Sequence, residues 1–140
     1  MKSSIVLLAA VLALGCVHPL SPDAKAQAEA QAAQDEARLV TALSGRVAGL
    51  PKDCVTEIDL GGTRSFGRGV LLFTSKTGDV LYVNRPPSGC PEVAPGRAIR
   101  VRVPETRFCR GDIVTVFDPV TKIDVGSCNL GEFTPYTSTK

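Results

Sequence analysis

The residues of this chain best suited to chemistry are its five cysteines, Cys16, Cys54, Cys90, Cys109 and Cys128. Cysteine can ligate metal, attack as a thiolate or pair as a disulfide, and spacing separates these uses. Structural zinc sites draw ligands from close pairs on tight turns, and this sequence has no Cys-x-x-Cys. Catalytic use needs a base beside the thiol. The only histidine, His18, lies far from four of the five cysteines along the chain. Disulfides are the remaining use for Cys54, Cys90, Cys109 and Cys128, which implies an oxidising compartment. An odd count then leaves one cysteine over.

The odd one is Cys16. It ends Ala13-Leu14-Gly15-Cys16, directly after the ten-residue apolar run Ile5 to Leu14, which Lys2 precedes. A basic start and a short apolar run make a secretory signal. The run is about half the ~20 residues a membrane span requires. The four residues resemble the bacterial lipobox, in which the thiol is acylated, with palmitate among the usual chains, and the protein is cut just before it. Ala13 stands where Leu is commonest. Acylation would attach the protein to a membrane through Cys16. Val17 in place of an inner-membrane retention Asp points to the outer membrane, facing the periplasm. The competing reading is an ordinary secretory cut that leaves Cys16 as a free thiol.

Four domain cysteines allow three pairings. If the last two strands fold about Asp118-Pro119, Cys109 and Cys128 meet at the open end of that hairpin, leaving Cys54 to Cys90. This pairing is the expected one. A bridge closing about twenty residues contributes roughly 3 kcal/mol.

Other chemistry is sparse. Without a histidine in the domain there is no Ser-His-Asp or Cys-His arrangement and no His-ligated metal. Asp112 and Asp118 share strand parity and are the one candidate carboxylate pair, but both flank strand ends, where Asp caps backbone. Arg110-Gly111-Asp112 matches an adhesion tripeptide by letter and reads as a turn. Gly61-Gly62 and Gly67-Arg68-Gly69 precede no helix, so they are turns or a bulge and not phosphate loops. No catalytic residue, metal ligand or cofactor is expected. The arginines Arg97, Arg100, Arg102, Arg107 and Arg110 form the one set with a binding chemistry, since guanidinium forks suit phosphate and carboxylate. They suggest an anionic envelope polymer as ligand, against a solvated face paired with acids such as Glu57 or Asp59.

Those residues must be positioned by about ninety residues of core-forming chain, a small domain that benefits from covalent ties. Residues 1–15 read as the signal, 16–45 as the lipidated cysteine and an Ala-rich helical tether, and 46–140 as the disulfide-stapled domain. Ser21-Pro22-Asp23 starts the helix and Ser44-Gly45 ends it. About 22 residues at ~1.5 Å each would hold the domain ~33 Å from the membrane. Ala26, Ala30, Ala33, Ala37 and Val40 recur at coiled-coil spacing, a self-association seam or a plain spacer. After Cys54, short β-branched runs between Gly, Pro, Asn and Asp predict strands near 55–59, 69–74, 79–84, 97–103, 113–118 and 123–127. Val70-Leu71-Leu72-Phe73 is apolar throughout, so both its faces should be covered. With few helices after residue 46, the sheet must cover itself. The fold class is therefore mainly β: a small antiparallel barrel or curled sheet of about six strands with two disulfides, after an N-terminal Ala-rich helix.

The spread Cys54, Tyr82-Val83-Asn84, Cys90-Pro91, Cys109-Arg110-Gly111-Asp112-Ile113-Val114 and Cys128-Asn129-Leu130-Gly131-Glu132-Phe133 resembles an uncharacterised family of small exported bacterial proteins and lipoproteins, a domain of unknown function. The resemblance implies a shared fold and shared disulfides. It implies no activity, substrate or site residue.

The formal net charge of +2 on 140 residues supplies no field to attract nucleic acid. The leading expectation is a non-enzymatic envelope lipoprotein, a binding or structural module for an anionic component or a periplasmic protein. The alternative is an inhibitor of an envelope-targeting hydrolase such as a lysozyme. Those enzymes are basic and would call for an acidic face.

Overall fold

The computed structural model describes residues 21–56, 60–101 and 106–139. One helix, α1 (Pro22–Ala42), precedes ten strands: β1 (Arg46–Ala48), β2 (Cys54–Thr56), β3 (Leu60–Phe66), β4 (Val70–Ser75), β5 (Val80–Asn84), β6 (Ala98–Val101), β7 (Arg107–Cys109), β8 (Ile113–Phe117), β9 (Asp124–Asn129) and β10 (Phe133–Ser138). The sequence argued for about six. The four missed were β1, β3, β7 and β10. Two of them are three residues long, β3 carries Gly61-Gly62 as a bulge, and β10 contains Pro135, so all lack the alternation that marks a strand.

All pairing is antiparallel. The largest sheet runs β1-β10-β5-β4-β3, a second runs β6-β8-β9, and β2 pairs with β7. Pro135 is tolerated inside the large sheet because its backbone faces β1 there. Its carbonyl accepts from Gly49 just past the end of β1, so the missing N–H costs no bond to β5.

Two apolar clusters lie on opposite faces of the large sheet. On one face, Leu71, Phe73 and Phe133 pack with Val114 and Val116 of β8 and Val55 of β2, Phe73 meeting Phe133 edge-on at 5.5 Å. On the other face, Val70, Leu72, Leu81 and Val83 pack under Leu39 of α1. The expectation for β4 holds: Val70 to Phe73 are all buried, covered on both sides.

The sheets do not close into a barrel. A sheet of this size must cover its second face, and α1, which precedes residue 46, does so from the N-terminal side. The helix begins as read, with the Ser21 hydroxyl accepting from the Ala24 amide at 3.3 Å and Pro22 in the first turn. It is not a free spacer along its length. Leu39 is 1 % exposed, and Arg85 at the end of β5 donates to both carboxylate oxygens of Glu36 at 2.8 and 3.2 Å. The Ala26, Ala30, Ala33, Ala37 and Val40 seam faces solvent.

The disulfides are Cys54–Cys109 and Cys90–Cys128, which corrects the expected pairing of Cys54 with Cys90 and Cys109 with Cys128. The β8–β9 hairpin does fold about Asp118-Pro119, but the chain turns sharply before it. Gly111 takes φ +89°, and Cys109 leaves the hairpin for β7, directly opposite Cys54 on β2. Cys128, left on β9, meets Cys90 from the loop after β5, inside the larger core.

Asn84, fully buried, secures the return into β10. Its side-chain amide donates to the Gly131 carbonyl at 2.8 Å and its oxygen accepts from the Gly131 amide at 2.9 Å, so both functions of a costly buried group are met. Gly131 has no room for more: a Cβ there would lie 2.2 Å from the Arg85 carbonyl oxygen.

Candidate functional site

Among the described residues, three of the five arginines of the set are paired with acids of the fold. Arg97 holds Asp118 at 2.8 Å, and Arg100 pairs with Asp124 while its guanidinium stacks 4.9 Å from the Phe117 ring. Arg110 bridges Glu132 at 2.9 Å and Asp53 at 3.4 Å. Arg107 is exposed on β7 and is itself engaged in a contact. Arg102, Glu57 and Asp59 lie outside the described residues, as do Cys16 and His18. The acids that serve Arg97, Arg100 and Arg110 come from the neighbouring strands and loops, so the charges are consumed within the fold.

Asp112 and Asp118 act as backbone acceptors. Asp112 takes the Cys109 amide at 2.7 Å, closing the Arg110-Gly111 turn. Asp118 takes the Val120 and Thr121 amides at 2.9 and 3.0 Å. The Thr121 and Val120 amides, then the Arg97 guanidinium, hold the Asp118 carboxyl below the usual carboxylate range. Among the described residues no group of three or more His, Cys, Asp or Glu is placed to hold a metal.

The feature that sequence reasoning did not find is a cleft of about 920 Å³ between α1 and the β3–β4 hairpin. Its origin is a mismatch of side-chain size. Near the C-terminal end of α1, Leu39 fills the gap to the sheet, and Ala42 and Leu43 pack beside it. One to four turns earlier the inward positions are Asp35, Ala32, Ala28 and Ala24, and methyl groups do not reach Phe66, Val93 and Pro95 on the far wall. Ala28 and Ala32 therefore stay exposed although they line a concave surface.

The inner end is held by charge. Asp35 is buried on α1, where Arg38 and Gln31 donate to its carboxylate, and it presses on the hairpin turn. Gly67 in that turn has φ +59°, and a Cβ on it would fall 2.3 Å from Asp35 Oδ2. The hairpin is tied from behind by the Cys90 amide, which donates to the Arg68 carbonyl at 2.6 Å. The Arg68 side chain at the cleft has no ion pair or hydrogen bond among the described residues. A smaller cavity of about 290 Å³, with Arg64 and Arg97 on its wall, adjoins at Ser65 and Val93.

A cleft of this size lies within the range of about 300–1,000 Å³ that holds small ligands, and its lining mixes apolar side chains with Gln31, Asp35, Glu36, Arg38, Arg68 and Arg85. It can retain and orient a molecule. No family model matches the chain, and neither do any curated protein or solved structure.

Proposed function

We propose that this protein is a lipid-anchored module of the bacterial cell envelope that works by binding and not by catalysis, with the cleft between α1 and the β3–β4 hairpin as its binding surface. One observation carries the reading. The four domain cysteines are used up as Cys54–Cys109 and Cys90–Cys128, which leaves Cys16 as the fifth, at the end of an apolar run. Two disulfides suit an oxidising compartment. A lone cysteine after Ala13-Leu14-Gly15 suits acylation, with attachment to the outer membrane on its periplasmic side.

An anionic envelope component remains the favoured ligand class, but the support for it moves. Arg97, Arg100 and Arg110 would have to give up carboxylates of their own fold to bind a polymer, and such exchange gains little at a solvated surface. Arg68 has no such carboxylate to give up among the described residues.

Fractionation with intact-mass spectrometry tests the reading. The native protein should sit in the outer-membrane fraction, begin at an acylated Cys16 and carry no free thiol. Cys16→Ser should release it as a soluble periplasmic protein with both disulfides intact. A wild-type protein that is soluble and unacylated overturns the proposal.

A further inference from the structure

We infer that the α1–hairpin cleft takes a single-chain anionic lipid, one long alkyl chain ending in a carboxylate or phosphate, with Arg68 holding the head. The inference rests on the binding reading above and names its ligand.

Charge complementarity selects an anion. Of the charged side chains on the cleft, Asp35 is matched by Arg38 and Glu36 by Arg85, whereas Arg68 has no partner among the described residues. Among the described residues the cleft thus keeps one guanidinium without a carboxylate, the group best shaped to fork onto a carboxylate or phosphate.

The walls select an alkyl chain. Ala24, Ala28 and Ala32 offer methyl groups along one side of α1, and Phe66, Val70 and Val93 add apolar surface, so most of the cleft surface is apolar although polar side chains such as Gln31 and Ser65 also line it. From Ala24 to Asp35 the helix runs about 16 Å at ~1.5 Å per residue, an elongated trough and not a round pocket. Buried Asp35 closes one end and exposed Arg68 stands at the hairpin turn, so the site combines apolar surface with charge as an amphiphile does.

The cleft is also braced by contacts that do not involve its alanines. Leu39, the Glu36–Arg85 pair and the contact of Asp35 with Gly67 set the distance between helix and hairpin without any help from Ala24, Ala28 or Ala32. Those methyl groups therefore leave room for a guest.

The test uses the exported chain carrying Cys16→Ser, so that no acyl chain of its own competes, with radiolabelled palmitate as probe and hexadecanol as the neutral-headed control. Palmitate should bind saturably at one per chain, with hexadecanol about tenfold weaker or worse, the worth of one charge-assisted contact. Arg68→Gln should weaken palmitate about tenfold and leave hexadecanol unchanged. Ala28→Phe should abolish both while the melting temperature stays near that of the parent. No saturable binding, or palmitate binding that neither substitution changes, overturns the inference. So does a ligand-free dimer that Ala28→Phe dissociates, which would give the cleft to a second copy. In acylated wild-type protein in nanodiscs, photoreactive palmitate should cross-link to the β3–β4 hairpin. Labelling confined to the Cys16→Ser protein would give the cleft to the protein's own acyl chain and overturn a free-lipid occupant. None of these results touches acylation or membrane location, so a failed lipid assay leaves the anchored-module reading to its own experiment.

Discussion

The two faces of the large sheet are built to different standards. Toward β8, phenylalanines, branched side chains and the Cys90–Cys128 bridge fill the space. Toward α1, Leu39 closes the gap beside Ala42 and Leu43, and the inward positions before it are Asp35 and then alanines, which leaves a cleft. A small domain needs one well-filled core, and once the first face supplies stability the second can be left under-filled where a ligand is to enter. On the proposed reading, the contrast puts stability on one side and binding on the other.

It is broken most directly by Phe73→Ala. Loss of a buried ring at the centre of the first core should cost about 3–5 kcal/mol in urea unfolding, more than any change on the helix face. Replacing Cys90 and Cys128 by alanine together should cost roughly 2–5 kcal/mol, since the bridge joins the loop after β5 to β9. Leu39→Ala should cost about 2–4 kcal/mol, and hydrogen exchange should show α1 amides opening while β8 stays protected. Equal deprotection of both regions would mean that the faces are one cooperative unit.

Ala28→Leu should sharpen the comparison from the other direction. A larger apolar side chain in a well-packed core is costly, but in an open cleft it should change stability by less than about 1 kcal/mol. A large penalty would show that the cleft is filled.

The smallest effect concerns pH. Asp118 has a carboxyl held below its ordinary value, so its contribution to stability is present above the unfolded value of about 3.9 and is lost as pH falls through the lower folded value. Asp118→Asn keeps an oxygen for the Val120 and Thr121 amides and removes the charge beside Arg97. Its stability should therefore fall less steeply than the parent's below about pH 4. An unchanged acid limb would show that Asp118 titrates normally.

Much of the local structure was legible in the sequence. Ser21-Pro22 marks the helix start because the cap needs only a hydroxyl three residues before an amide, and the Val70–Phe73 run shows double-sided burial because no polar residue interrupts it. Asp112 and Asp118 are readable as turn residues for the same reason: their partners lie within three positions. The ion pairs of Arg97, Arg100 and Arg110 were not legible because their acids, Asp118, Asp124 and Glu132, come from other strands and loops, at 21 to 24 positions' separation.

What the sequence determined by itself was therefore the mainly β class after an N-terminal helix and the use of the domain cysteines as pairs, since periodicity, caps and cysteine spacing act over short distances. Which cysteine met which, whether the sheet closed, and where a cleft opened were decided only in three dimensions. Each depends on segments far apart in the chain: β7 leaving its hairpin to meet β2, and α1 returning to cover β4 and β5. The cleft depends on a difference between Leu39 and the alanines before it, and that difference has a consequence only once another surface stands opposite.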